Sequence, residues 1–426
     1  MLFLKELKKT TLSIAWFIVI VTIFFMVNSQ GVLKYTLDDR IAEPLPGKED
    51  YGYTVTDDKD VIMDKALNSL YGEYKRNSYT TYPVGFYKEV RLSEKEQSDI
   101  AMILSYFTGI SLEVIEQSAN LDSNDNLNAR SYYYNEDGTL SIKDNIDEEN
   151  TFVISVLDDI DYHEFKAKMS KVNRILGTGS SYSISSLNSF GFVSKTYEEA
   201  INEYNTYVKD GNIASIYARY FNDYATLMLS ILPVFLAVNL CLKDKRGQIA
   251  DLLYTRSISS YKLILIRYIV MVTSVIIPTL LLSYVSSASV WGLYPERSID
   301  YLASFKYTFG WGLPSVMISV SLGMFLTELT KTPIAILVQG LWWFFDANTG
   351  LKTGNQYAML NLSPRHNSLW NGQLFTIRYE SLIWNRISFV VLSILLVVFT
   401  VIIYERRRRG RVHEFKLREK FNNNKK

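Results

Sequence analysis

The residues best placed to do work in this chain lie in KDKRGQIADLLYTRSISSYKLILIRY, residues 243–268, a polar and basic stretch between two long apolar runs. Ile249, Leu252 and Leu253 recur at i, i+3 and i+4, with Asp251 and Arg256 on other faces, which predicts a short amphipathic helix at a membrane edge. Such a helix does mechanical work: it lies among headgroups, or it offers its apolar stripe to a partner. Bond-making chemistry has less support. No G-x-x-x-x-G-K-[ST] occurs, so the chain lacks the loop whose backbone amides would hold ATP phosphates. His163, His366 and His413 stand far apart and give no metal-ligand spacing, and there is no nucleophile elbow or H-E-x-x-H. No catalytic residue, metal or cofactor is expected on the chain itself, and nothing calls for a nucleic-acid partner.

Polar groups inside the apolar runs are the second set. Asn222, Asp223, Asn239, Arg267, Gln339, Asp346 and Glu380 interrupt them, and such groups are costly in lipid unless they face protein or water. Asp223, Asn239, Gln339 and Asp346 are candidates to line a substrate pathway. For Asp223 and Asp346, structural pairing is an equal alternative. Arg267 reads as a side chain snorkelling to the headgroups, and Pro233, Pro278 and Pro314 as kinks.

These groups need a scaffold of apolar helices. Thr11–Val27, Tyr224–Leu242, Leu263–Val290, Tyr307–Leu326, Pro333–Phe345 and Ile387–Ile403 read as six spans, the first uncleaved and the fifth too short unless it extends through Asp346. The expected fold is an α-helical polytopic membrane protein with six transmembrane helices and an α+β extracellular domain between the first and second. Its parts are a tail and first helix over 1–28, the domain over 29–220, helices two to six over 221–404 with the connection 243–262, and a basic tail over 405–426. With both ends inside, twenty lysines and arginines fall in the four pieces assigned to the cytoplasm, Arg267 counted with the stretch 243–268, against five in the two short outer loops.

Within 29–220, Ser93 and Glu96 form a capping box for a helix to Phe107. Ser131–Ile142 reads as a hairpin about Asp137-Gly138, Thr151–Leu157 as a buried strand, and Asp161 as the cap of a helix running from Tyr162 to Leu176. Thr196 and Glu199 open another helix, and the run from Ile213 to Tyr220 leads into the second span without a strong break.

The near-neutral total hides an asymmetry: residues 29–220 carry 19 Lys and Arg against 32 Asp and Glu, the remainder 26 against 12. The acidic part would attract cationic ligands, or simply stay soluble. Cys241 is the only cysteine, so no intramolecular disulfide exists and any external domain holds by packing alone.

The connection resembles the first cytoplasmic connection of ABC-2 type transporter permeases, in which an acidic residue, Gly, Leu-Leu, a Thr-Arg-Pro-Ile-Ser-like run and Lys form the helix that docks on the ATPase. The matching positions are Asp244, Gly247, Leu252, Leu253, Thr255, Arg256, Ile258, Ser259 and Lys262, with Ile249 on the same stripe. Asp244 stands where Glu is frequent, and Ser257 replaces the usual Pro. LGTGSSYS (176–183), TYEEAINEYN (196–205) and YARYFNDYATLMLSILPVFLAVN (217–239) resemble one branch of these permeases, and NLSPRHNS (361–368) with SLIWNR (381–386) resemble their re-entrant pieces. The resemblance implies an exporter subunit in the bacterial plasma membrane, multi-pass with both termini cytoplasmic. Its implied partners are a cytoplasmic ABC ATPase subunit, which binds ATP and Mg, a second permease subunit, identical or similar, and the lipid bilayer. The alternative is an ATP-independent six-span surface receptor or secretion-apparatus protein, akin to phage-infection-type membrane proteins with a large domain after the first span.

Overall fold

The computed structural model describes residues 2–48, 50–83, 86–121, 131–134, 140–143, 154–209, 213–247, 258–349, 359–366, 368–370, 375–376 and 378–410. It is mostly helical, with few strands. After α1 (Leu2–Thr11) and α2 (Ile14–Ser29), a first core gathers on α3 (Lys59–Arg76), α4 (Glu94–Thr108), α5 (Leu112–Leu121) and α6 (Tyr162–Leu176). Local chemistry sets these ends. Asp58 caps α3 through the Asp60 amide, and Asn77 closes it in the left-handed region at φ 44°. The Ser93–Glu96 box starts α4 and Gly109 ends it. Asp161 and Gly177 bound α6. Ile62, Leu67, Leu70, Leu104, Phe107, Phe165 and Met169 fill the space between them.

The described residues hold three two-stranded antiparallel ladders: β1 (Tyr53–Val55) with β6 (Phe192–Ser194) and β2 (Tyr79–Thr81) with β3 (Lys88–Val90), both against α3, and β4 (Ser131–Tyr134) with β5 (Leu140–Lys143). The last is the expected hairpin, whose tip lies outside the described residues. The expected strand at 151–157 is not one where it is described, over 154–157. Side chains take the partner strand's place: the Asn68 amide bonds Ile154 at both N–H and C=O, and Asp64 accepts from Val156 N at 2.8 Å.

α7 (Tyr197–Tyr204) opens on its Thr196–Glu199 box and runs into a π-turn over 205–209. The rest of the chain is a bundle of α8 (Ile213–Leu229), α9 (Leu232–Arg246), α10 (Ser260–Leu293), α11 (Ala303–Tyr307), α12 (Leu313–Thr330), α13 (Ile334–Thr349) and α14 (Tyr379–Arg408). Among the described residues, four helices are long and apolar enough to cross a membrane: Ile213–Lys243, Ser260–Leu293, Ala303–Thr330 and Tyr379–Arg408. The α1–α2 pair, bent by 64°, would make a fifth. α13 has 16 residues and so spans about 24 Å, less than a bilayer core; it does extend through Asp346.

Arg267, read as snorkelling, is buried on α10 with Nε 3.6 Å from the Glu6 carboxylate of α1. Pro278 lies inside α10, Pro233 stands just after the interruption of the Ile213–Lys243 span, and Pro314 just after a π-turn over Thr308–Gly312 within the Ala303–Thr330 span. The span across α8 and α9 is interrupted just before Pro233, at Ser230–Ile231.

The segment leaving α2 is strapped to one end of the bundle: Tyr217 OH donates to Asp39 O at 2.7 Å, Ser286 Oγ to Val32 O at 2.7 Å, and Arg40 pairs with Glu296 at 3.0 Å. In the bundle, α12 packs on α14 and α9, closest at Gly323, where a Cβ would stand 2.7 Å from Ala237 Cβ. Gly323→Leu should force α12 off α9 and cost about 1–3 kcal/mol of stability in a thermal melt of the detergent-solubilised chain. Gly340→Leu, with nothing within 4 Å, should melt like the parent.

Candidate functional site

The feature that stands out in the bundle is a non-helical strip, described over 359–366 and 368–370, that runs among helices. Leu362 is fully buried, with Ser363 and His366 nearly so. An irregular backbone in an apolar surrounding needs a partner for each N–H and C=O, and here side chains supply them. Trp342 Nε1 donates to Leu360 O, Ser315 Oγ to Leu362 O at 2.7 Å and Trp311 Nε1 to Pro364 O at 2.9 Å. Arg219 of α8 donates to Ser368 O at 2.6 Å.

Two charges hold the centre. Asp346, at the end of α13, accepts from Leu362 N at 3.0 Å, Ser363 N at 3.1 Å and Ser363 Oγ at 2.9 Å. Arg386 of α14 donates to Trp311 O at 3.0 Å, Ser315 Oγ at 2.9 Å and Asn361 O at 3.1 Å. It also donates to its neighbour Asn385, whose amide reaches the same Asn361 carbonyl. The carboxylate takes the amides of 362 and 363 and the guanidinium takes the carbonyl of 361, so one peptide run bridges the two charges. Charge-assisted bonds of this kind are the strong ones. Phe375 stacks on Trp311 and lies under the Arg219 guanidinium at 5.1 Å, closing the outer side of the clamp.

Of the four pathway candidates, three come into this neighbourhood. Asp223 is fully buried on α8, one turn from Arg219, and Arg365 lies within electrostatic reach of both Asp223 and Asp346. Gln339, fully buried on α13 two turns before Asp346, donates to Ser230 O at the α8–α9 break, and Trp343 Nε1 donates to Leu227 O at 2.8 Å. These bonds satisfy carbonyls freed by the interruption. Asn239 is half-buried further along α9 and does not join them. Among the described residues no group of three His, Cys, Asp or Glu could hold a metal ion.

The coupling candidates divide. Asp244 lies in the last turn of α9 and Gly247 just beyond it; Ser259 caps α10 and Lys262 is exposed in its first turn. Ile249, Leu252, Leu253, Thr255 and Arg256 lie outside the described residues. The exit of the connection is fixed firmly. Arg408 of α14 donates to Ile258 O at 2.8 Å, Glu405 bonds Ser260 Oγ, and Arg407 donates to Leu329 O at 3.0 Å while lying 3.8 Å from Glu328.

Sequence reasoning passed over Arg219, Arg386, Asn385, Ser315 and Trp311. Arg386 was placed at a span border and Arg219 inside the preceding domain, because hydropathy reads charge and not depth. The usable signal was the strip itself: NLSPRHNS has too few apolar residues for a span and too many neighbours that need its carbonyls.

Arg386→Met would take one donor each from the Trp311 and Asn361 carbonyls and from Ser315 Oγ, and would remove one of the two guanidinium charges near Asp346, leaving Arg365. It should cost about 3–5 kcal/mol in unfolding of the solubilised chain. Arg386→Lys should recover less than half, because an ammonium cannot span the fork. A melt for Arg386→Met within about 0.5 kcal/mol of the parent would contradict the clamp. No family model, curated protein or solved structure matches the chain, and what it does is read from its own residues.

Proposed function

We propose that the chain is the membrane-spanning permease subunit of an ABC-2 type exporter. It works as a pair of like subunits with two cytoplasmic ATPase subunits that carry ATP and Mg. In this reading six helices cross a bacterial plasma membrane with both termini in the cytoplasm, α1–α2 and the short α13 supplying the first and fifth crossings. The domain between α2 and α8 lies outside. The cargo is a peptide or a lipid-like molecule.

One observation carries the reading. The polar connection 243–262 joins two membrane-length helices, and its exit is bolted by Arg408 and Glu405 to α14, which Arg407 ties to the end of α12. A push on the apolar stripe Ile249, Leu252 and Leu253 therefore meets a rigid joint. ATP-driven closure of the ATPase pair, received between Gly247 and Arg256, would turn α10, α12 and α14 together in alternating access. The interior clamp supports the same picture: Asp346 and Arg386 hold a strip that several helices share, so those helices move as one body.

The double substitution Leu252→Asp with Leu253→Asp tests this. The tagged chain purified from its native membranes should bring down an ATP-hydrolysing partner. The variant should insert equally well yet lose at least tenfold of the co-purifying ATPase activity. Equal activity in parent and variant, or none with the parent, would count against the exporter reading.

A further inference from the structure

The row of polar side chains at the α8–α9 break has more hydrogen-bonding capacity than the protein uses. On α8, Arg219, Asn222, Asp223 and Thr226 recur at i, i+3, i+4 and i+7, so they share one buried face. Asn222 Nδ2 is tied to Ala218 O at 2.8 Å, which leaves its Oδ1 over, and no protein atom pairs with that Oδ1 or with Thr226 Oγ1. Across the break, Gln339 anchors its Nε2 on Ser230 O and its Oε1 is likewise unpaired. Ser319 Oγ is the fourth such atom. It belongs to the face of α12 that meets α8 and α9: Gly312, Ser319 and Gly323 follow at i, i+7 and i+11. A Cβ on Gly312 would stand 3.4 Å from Asn222 Oδ1 and 3.1 Å from Leu229 Cδ1, and one on Gly323 would press on Ala237. All four residues are at most 0% exposed.

Four unpaired oxygens in one apolar interior are expensive, at about 1–3 kcal/mol each. A cation does not answer the need, because the charges within reach, Arg219, Arg365 and Arg386 against Asp223 and Asp346, already sum to a positive charge, and an anion finds no donor in the unpaired amide oxygens. Arg219 Nε, at the end of the row, is an unpaired donor. Water serves donors and acceptors alike, and buried water typically bridges such otherwise unsatisfied groups.

We propose that this row lines a water-filled seam inside the single subunit, running from Arg219 past Asn222 and Thr226 to Ser319 and Gln339. From Asn222 to Ser230 it covers about 12 Å of the bundle. It brings water to the middle of the membrane part at the joint where the α8–α9 span is broken, and it offers small polar solutes a route there. The seam does not depend on the exporter reading and is tested on the chain alone.

The test uses the full chain in nanodiscs, with the sole cysteine removed by Cys241→Ser. Thr226→Cys and Ser319→Cys should react with N-ethylmaleimide at least tenfold faster than Leu281→Cys, which is 61% exposed on the outer face of α10, because a thiolate forms only where water reaches it. In the parent background, Thr226→Val and Ser319→Ala should leave the melting temperature unchanged or lower it, since each loses a hydroxyl bonded to water. A dry seam gives the opposite result: both cysteines are no more reactive than the lipid-facing control, and both apolar variants melt several degrees higher because an unpaired hydroxyl has gone. Either result overturns the proposal.

Discussion

Lipid offers no hydrogen bonds, so any backbone group there must find its partner in the protein. Among the described residues, the strip over 359–366 and 368–370 and the joint at 230–231 depart from α-helix within the bundle, and polar side chains gather around both. Trp311, Ser315, Asp346, Asn385 and Arg386 serve the strip, while Gln339 and Trp343 serve the joint. α13 contributes to each and so locks them together. Asp346, near its end, meets the Leu362 and Ser363 amides.

The two ends of the bundle are built differently. At one end, hydroxyls and a single exposed ion pair strap the segment 32–41 to α8 and α10. At the other, α14 finishes in arginines that reach the carbonyls of Ile258 and Leu329. Those arginines are more than a topological marker. They fasten the start of α10 to the end of α12, next to the connection that the proposed function assigns to a partner.

Much of the local structure was legible in the sequence because it rests on short-range chemistry. Ser93 with Glu96, Asp161 with Gly177, and Thr196 with Glu199 each declare a helix end within four residues. The apolar runs declared themselves as well, although the count of six reduces to four helices of clear membrane length, a bent pair and a short one. Long-range pairing was not legible. Nothing near Arg267 announces Glu6, and nothing near Asn68 announces that it stands in for a strand beside Ile154. The site was half visible: Asp223, Gln339 and Asp346 betrayed themselves as polar residues in apolar runs, whereas Arg219 fell within the preceding domain and Arg386 at a span border.

The central claim is that the acidic domain between α2 and α8 and the connection after α9 face opposite sides of one membrane. In the Cys241→Ser background, Ile184→Cys, 59% exposed in that domain, and Gly247→Cys, exposed at the start of the connection, can each be treated with a membrane-impermeant maleimide on intact cells. The account predicts labelling at 184 and none at 247 until the cells are opened. Labelling at 247 with protection at 184 would contradict it.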